Sequence, residues 1–147
     1  MAITLEDIIQ TSLTRGDKGE KGDIGNLRNI AGVSDVFTAK TGANGTVVHD
    51  VSSTNIFVHK SIGDVFTANF INVPETNTRI TNLILVLIQG STAYMPNAFQ
   101  IDDASQTVKW GGGVSPTGTA NGIDIINYVL IRDTNAWTVL GQHNKYQ

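Results

Sequence analysis

Apolar residues recur with two different spacings along this chain, and the spacing changes near residue 46. Residues 4–13 carry four apolar side chains at the three- and four-residue intervals of one helix face: Leu5, Ile8, Ile9 and Leu13. Thr4 and Asp7 have the spacing of a capping box, which marks a helix start. Because so short a helix is marginal in water, we expect an anchor that packs against sister helices or docks on a partner.

From residue 46 onwards, short β-branched and aromatic runs separated by turn residues predict strands. The strongest run is Arg79–Gln89, whose centre from Leu83 to Ile88 is apolar on both faces, as in strands buried on both sides. We expect this strand to be central or to lie at a subunit interface, with Leu83, Leu85 and Leu87 as candidate trimer contacts. Regularly spaced short strands indicate a β-sandwich or barrel, and we expect an antiparallel, jelly-roll-like β-sandwich. The predicted strands are 46–50, 55–60, 64–73, 79–89, 99–101, 106–110, 123–132 and 136–142.

Between these two regions, four glycines recur at every third position: Gly16, Gly19, Gly22 and Gly25. Only glycine fits at the axis of a collagen triple helix, so this period predicts a short stalk made of three chains. Lys18 and Lys21 each precede a glycine, and Glu20 and Asp23 each follow one, so staggered chains would bring opposite charges together. The tract contains no proline to pre-set its geometry, and a flexible polar linker is the alternative.

The predicted organisation has four parts. An anchor occupies residues 1–14, the stalk 15–25, a transition segment 26–45 and a trimerising β-sandwich head 46–147. Apolar spacing in the transition segment permits a second short helix before a glycine-rich turn.

Composition narrows the range of partners. The net charge of −3 gives no electrostatic case for binding nucleic acid or an anionic membrane. The chain has no cysteine, which excludes a disulfide framework and a thiolate metal site. The longest apolar run is too short to cross a membrane, and the N-terminus lacks the pattern of a signal peptide. We expect a protein made in the cytoplasm without membrane insertion.

No constellation of catalytic residues or cofactor ligands emerges from the sequence. Asp102 and Asp103 form a carboxylate pair, but beside Ser105 they indicate a solvated turn. The three histidines lack the spacing of metal ligands: His49, His59 and His143. We therefore expect no enzyme, no cofactor and no metal.

Five segments of the second half follow one another in an order that resembles a C-terminal module of bacteriophage tail-fibre and other virion structural proteins, notably those of cyanophages. They are residues 66–70, 83–89, 108–116, 121–125 and 137–141. In that family a tryptophan followed by glycines and a proline precedes a Gly-x-Asp strand and a final hairpin, as Trp110, Pro116 and Asp124 do here. The match covers about residues 62–142 and departs at the last turn, 133–135, where the family often has Asp-Gly-Gly.

The resemblance and the glycine period together imply a homotrimeric virion fibre of the tail or baseplate that contributes to host attachment. The N-terminal helix would dock on other virion structural proteins, and the head would contact a host cell-surface receptor or glycan. Trp110 and Trp137 are candidate receptor contacts, although strand tryptophans more often fill a core or pack between subunits. Two alternatives stay open: a trimeric capsid decoration or head-fibre protein, and a non-viral, lectin-like adhesin with a collagen tail.

Overall fold

The computed structural model describes residues 35–147; the predicted anchor, the predicted stalk and the first part of the transition segment lie outside the described residues. The described part is mainly β, with one 3-10 turn at Gly111–Gly113 and no α-helix among these residues. Its strands are β1 (Thr38–Thr41), β2 (Gly45–Asp50), β3 (Ile56–Lys60), β4 (Phe66–Ile71), β5 (Arg79–Ile88), β6 (Pro96–Ile101), β7 (Ala104–Gln106), β8 (Val108–Trp110), β9 (Ile123–Asp133) and β10 (Ala136–Tyr146).

From β1 to β6, successive strands alternate between two sheets and run parallel to their neighbours in each sheet. One sheet has six strands in the order β1-β3-β5-β9-β10-β8, and the other has four in the order β2-β4-β6-β7. The chain thus winds as three coils, β1–β2, β3–β4 and β5–β6, and each of the five connections between these strands crosses from one sheet to the other. The antiparallel pair β9 and β10 then completes the larger sheet against β5.

The prediction of antiparallel sheets is wrong, because five of the eight strand pairings are parallel. The two-residue alternation of side chains reports which face a residue occupies, and it carries no information about strand direction. The described part of the transition segment holds the strand β1. The apolar residues on which the second short helix was predicted lie mostly outside the described residues.

The core lies between the two sheets. The six-stranded sheet contributes the inward residues of β3, β5, β9 and β10, and the four-stranded sheet contributes those of β4 and β6. The largest fully buried apolar side chains are Tyr128, Phe57, Phe66, Phe70, Leu83, Leu85, Leu87, Ile126, Leu130 and Val139.

The prediction that Leu83, Leu85 and Leu87 form a trimer interface is wrong. All three are 0% exposed within a single chain, where they pack in the core, so they offer no surface to a second chain. The segment from Leu83 to Ile88 is apolar on both faces of β5, and the sequence did not indicate which of the two faces points into the core. The outward residues, which include Ile84, Val86 and Ile88, remain partly or largely exposed.

Polar turns hold the parallel coils of the four-stranded sheet in register. Asn72 has a φ of 59° and donates from Nδ2 to Asp50 Oδ1 of the coil before it, at 2.9 Å. Its backbone N–H donates to Asp102 Oδ1 of the coil after it, also at 2.9 Å. Asp102 and Asp103 both adopt positive φ, a conformation that aspartate and asparagine tolerate. The turn predicted at these two aspartates is confirmed.

The predicted closing hairpin is also confirmed. β9 and β10 pair antiparallel along their whole length, from Asp133 with Ala136 to Ile123 with Tyr146. Thr134 and Asn135 connect them with φ values of 47° and 59°. Two consecutive residues with positive φ are the requirement of a type I′ turn, whose twist matches that of the strands. Asn135 is a common choice there, which explains why this turn functions without the Asp-Gly-Gly sequence.

Candidate functional site

A cleft of about 540 Å³ opens at one edge of the sandwich, where the chain passes from the four-stranded to the six-stranded sheet. β7 is the edge strand of the smaller sheet and β8 that of the larger one, and only Thr107 separates them. The two sheets are therefore joined at this edge by a very short connection. The cleft is lined by residues of β6, β7, β8 and β9 and by the segment that follows the 3-10 turn.

Trp110 forms one wall of the cleft, and its ring packs against β10. A Cβ atom added at Gly141 would lie 2.6 Å from the ring carbons Cε3 and Cζ3 of Trp110, so the indole packs directly on the backbone of β10. The ring of Tyr128 lies 5.8 Å from that of Trp110, centroid to centroid, with the planes tilted by 55°. Gly112 and Gly113, with φ values of 81° and 76°, turn the chain immediately after β8. Trp110 is thus half-buried and has little freedom to move.

The remaining lining combines apolar and neutral polar groups. Phe99 and Tyr128 form the inner part, with ring centroids 4.7 Å apart. Burial raises the pKa of Tyr128, so its hydroxyl keeps its proton at all physiological pH values. Asn97 and Ser115 lie exposed at the rim, and their side chains make no hydrogen bond within the described part of the chain. None of the residues that line this cleft is charged.

Trp137 does not share this site. It lies at the start of β10 opposite Arg132, whose guanidinium carbon is 5.0 Å from the centroid of the indole ring. It is partly buried against the core and is absent from the lining of the cleft. Of the two tryptophans named as candidate receptor contacts, Trp110 lines this cleft and Trp137 does not.

Asp124 ties the segment between β8 and β9 to the larger sheet. This fully buried carboxylate accepts hydrogen bonds from the Thr119 backbone N–H and hydroxyl, Gln89 Nε2 and His143 Nε2, all between 2.8 and 2.9 Å. Burial alone would raise the pKa of this carboxyl group, but the hydrogen bonds outweigh it and hold the pKa below its usual value. The Gly-x-Asp element of the sequence therefore positions Thr119, at the end of the segment that precedes β9.

His49 and His59 meet across the core, which the sequence analysis did not foresee. His49 Nε2 lies 2.8 Å from His59 Nε2, and both side chains are fully buried. His49 Nδ1 lies 3.3 Å from the carbonyl oxygen of Asn69, which can only accept, so His49 carries its proton on Nδ1. His59 then donates from Nε2, and its buried Nδ1 is left without a partner. Both imidazoles are neutral in this arrangement.

No group of three or more histidine, aspartate or glutamate side chains in residues 35–147 is arranged to hold a metal ion. No helix in the same residues is long and apolar enough to cross a membrane.

A second feature is the outer face of the six-stranded sheet, meaning the side chains of that sheet that point away from the core. On the central strands β5 and β9 this outer face is apolar at eight positions and polar at three, which are Asn82, Asn127 and the terminal Asp133. Ile80 is 62% exposed, while Val86 and Ile125, which are cross-strand neighbours, are half-buried. The eight apolar residues are Ile80, Ile84, Val86, Ile88, Ile123, Ile125, Val129 and Ile131.

The opposite surface of the sandwich is different in character. The outward positions of the four-stranded sheet are mixed: Thr46, Asp50, Thr67 and Gln100 are polar, whereas Val48 and Ile71 are apolar. The outer face of the four-stranded sheet is thus more polar than that of β5 and β9.

The predicted anchor residues, which are Leu5, Ile8, Ile9 and Leu13, lie outside the described residues, as do the stalk residues Gly16, Lys18, Gly19, Glu20, Lys21, Gly22, Asp23 and Gly25. Comparison of the chain with family models, with curated proteins and with solved structures found no match.

Proposed function

We propose that this chain is a structural protein of a phage virion: a short homotrimeric tail or baseplate fibre that contributes to host attachment. The observation that carries the proposal is the apolar outer face of the six-stranded sheet, taken together with the three-residue glycine period. An exposed apolar sheet face indicates a partner that covers it, and a three-residue glycine period indicates three chains.

The outer face has the composition of an interface. Strands that are apolar on both sides occur where both sides are protected from water, and β5 and β9 carry eight apolar branched side chains on their outer positions. The strands β5 and β9 lie about 4.8 Å apart and rise about 3.3 Å per residue, so their ten and eleven residues cover roughly 330 Å² of sheet. A standard interface buries about 800 Å² per partner. The apolar strip of β5 and β9 would therefore form the centre of an interface, and the neighbouring strands of the same sheet would supply its rim.

Trimerisation would give the fibre its mode of action. Three six-stranded sheets packed around one axis would bury their outer faces at the centre and leave the more polar faces of the four-stranded sheets outside. Each particle-bound trimer would then present three identical clefts, and weak contacts at each would add by avidity. The N-terminal helix with Leu5, Ile8, Ile9 and Leu13 would attach the other end to the virion.

Labelling of virions tests the proposal. Antibody raised against residues 35–147 and coupled to gold would be applied to purified particles of the phage that encodes this chain and viewed by electron microscopy. Gold at the tail or baseplate is the expected result. Gold on the capsid would assign the chain to decoration or head fibres, and particles without any gold would overturn the virion assignment.

A further inference from the structure

We infer that the cleft beside Trp110 binds one uncharged pyranose ring of a surface glycan; the host origin of that glycan rests on the proposed function, while the site itself rests on the geometry of the cleft. The size, lining, charge and preformed aromatic wall of the cleft indicate this ligand.

The dimensions suit a small ligand. Small-molecule sites in proteins are clefts of roughly 300–1,000 Å³, and this one has about 540 Å³. It lies between two sheets and ends on the buried rings of Phe99 and Tyr128. A ligand there would be enclosed on one face and open to solvent on the other, as expected for a terminal or side-chain residue of a longer glycan.

The lining matches the two sides of a sugar ring. The C–H groups on one face of a pyranose are apolar and pack against an aromatic ring, whereas its hydroxyl groups need donors and acceptors. Trp110 supplies the aromatic wall. Asn97 and Ser115 supply both donors and acceptors at the rim, and their side chains are not used by hydrogen bonds within residues 35–147.

The charges favour a neutral sugar over an acidic one. No lysine, arginine, aspartate or glutamate lines the cleft, so a carboxylate brought into it would lose hydration without gaining an ionic partner. Lys109 is adjacent to Trp110 in β8, but alternation along the strand directs its side chain to the opposite face.

The aromatic wall of the site is in place before any ligand binds. Trp110 is packed on Gly141, and Thr119, four residues after Ser115, is hydrogen-bonded to the buried Asp124. Preorganisation of this kind reduces the entropy lost on binding. A preformed aromatic wall with a polar rim is therefore suited to weak but specific binding of a sugar. The three clefts of a trimer would add their affinities by avidity.

The test uses the fact that the chain has two tryptophans. In full-length Trp137→Phe, Trp110 is the only tryptophan, and its fluorescence reports on the cleft alone. The probes are the methyl glycosides of glucose, galactose and N-acetylglucosamine, with methyl glucuronide as the acidic comparison, each to about 10 mM, at which a site with a dissociation constant near 1 mM is about nine-tenths filled. A saturable change in Trp110 emission with at least one neutral glycoside, and none with the glucuronide, is expected.

Two further variants in the Trp137→Phe background locate the binding. Asn97→Ala with Ser115→Ala should weaken it at least fivefold. The matched control, Asn44→Ala, removes an exposed amide in the β1–β2 turn and should leave the affinity unchanged. No response to any neutral glycoside, a response to the glucuronide alone, or an affinity that survives Asn97→Ala with Ser115→Ala would each overturn the inference. Light scattering on the same samples keeps the fibre proposal separate, because a trimer that binds no sugar contradicts only the inference.

Discussion

Acidification from pH 7.5 to pH 5 should destabilise the described β-sandwich through the buried pair of His49 and His59. Burial, and then the neighbouring His59, lower the pKa of His49 from 6.5 to about 3. Burial, and then the positive charge of Lys40, lower the pKa of His59 from 6.5 to about 4. The geometry gives the reason: the two rings share one hydrogen bond, and Phe66 and Phe70 stack against them.

The sign of the effect follows from proton binding. Below pH 6.5 the unfolded chain protonates both histidines, whereas the folded chain keeps them neutral until about pH 4. Protons therefore favour the unfolded state in this range, and the free energy of unfolding is highest above pH 6.5 and falls as the pH is lowered. Each group contributes about 1.4 kcal/mol per pH unit, so both together should cost about 4 kcal/mol at pH 5.

This loss is large compared with the roughly 5–15 kcal/mol that stabilises a typical domain. The loss caused by the histidine pair can also be separated from the contribution of the other buried titratable group, the Asp124 carboxyl. The pKa of Asp124 is held below 3.8 by its hydrogen bonds, which outweigh the opposing effect of burial, so the stability it contributes is present above that value and is lost only at lower pH. Between pH 7.5 and 5, the histidine pair therefore dominates.

Urea unfolding at pH 7.5 and pH 5 and at one protein concentration measures the effect, since any assembly makes stability concentration-dependent. The control is the double variant His49→Leu with His59→Leu, which removes both titrating rings. It should lower the free energy of unfolding at pH 7.5 by about 1–3 kcal/mol, because the Asn69 carbonyl oxygen loses the His49 donor. The variant should lose most of the pH dependence. A wild-type stability that changes by less than about 1 kcal/mol between the two pH values, or a double variant as acid-sensitive as the wild type, would refute the reasoning.

Three other predictions concern the interface, the cleft and the anchor. Val86→Glu should convert the proposed trimer into a folded monomer, because an unpaired charge buried between sheets costs several kcal/mol, whereas Thr67→Glu on the four-stranded sheet should leave the mass from light scattering unchanged. Gly141→Ala should reduce the free energy of unfolding by roughly 1–3 kcal/mol, because the new methyl group would meet the Trp110 ring at 2.6 Å; urea unfolding with no change would contradict the packing described. Ile8→Asp with Ile9→Asp should leave a folded, trimeric head but prevent incorporation into virions, which a blot of purified particles from a complemented null phage would detect.

The sequence predicted what is local in this structure. Strands such as β5 and β9 were found because side-chain alternation and β-branched residues are properties of a few consecutive positions. The closing hairpin was found for the same reason, since its strands and its turn are adjacent in the chain.

Properties that depend on distant segments were missed. β3 and β5 are parallel because the chain between them enters the other sheet as β4, which no local pattern records. Leucines alternate with isoleucine and valine on β5, and hydrophobicity alone did not indicate that the leucines lie inside. His49 and His59 belong to different sheets and meet only when the sandwich closes.

The cleft was predictable only in part. The sequence pointed to Trp110 because glycines follow it. The cleft also needs Gly141, on which the Trp110 ring packs, and Tyr128, which forms its inner part, and both residues lie far along the chain. Tyr128 could have been recognised as an inward residue from its place between Ile126 and Leu130 in an alternating strand. Nothing local indicated that it lies beside Trp110.

The central claim, that three copies pack through the outer face of the six-stranded sheet, is tested most directly by the mass of the full-length chain in solution. Size-exclusion chromatography coupled to light scattering at pH 7.5 should give three times the chain mass of 15.8 kDa. A single species of 15.8 kDa would contradict the account, because the apolar face of β5 and β9 would then remain exposed to water and the glycine period would have no second or third chain.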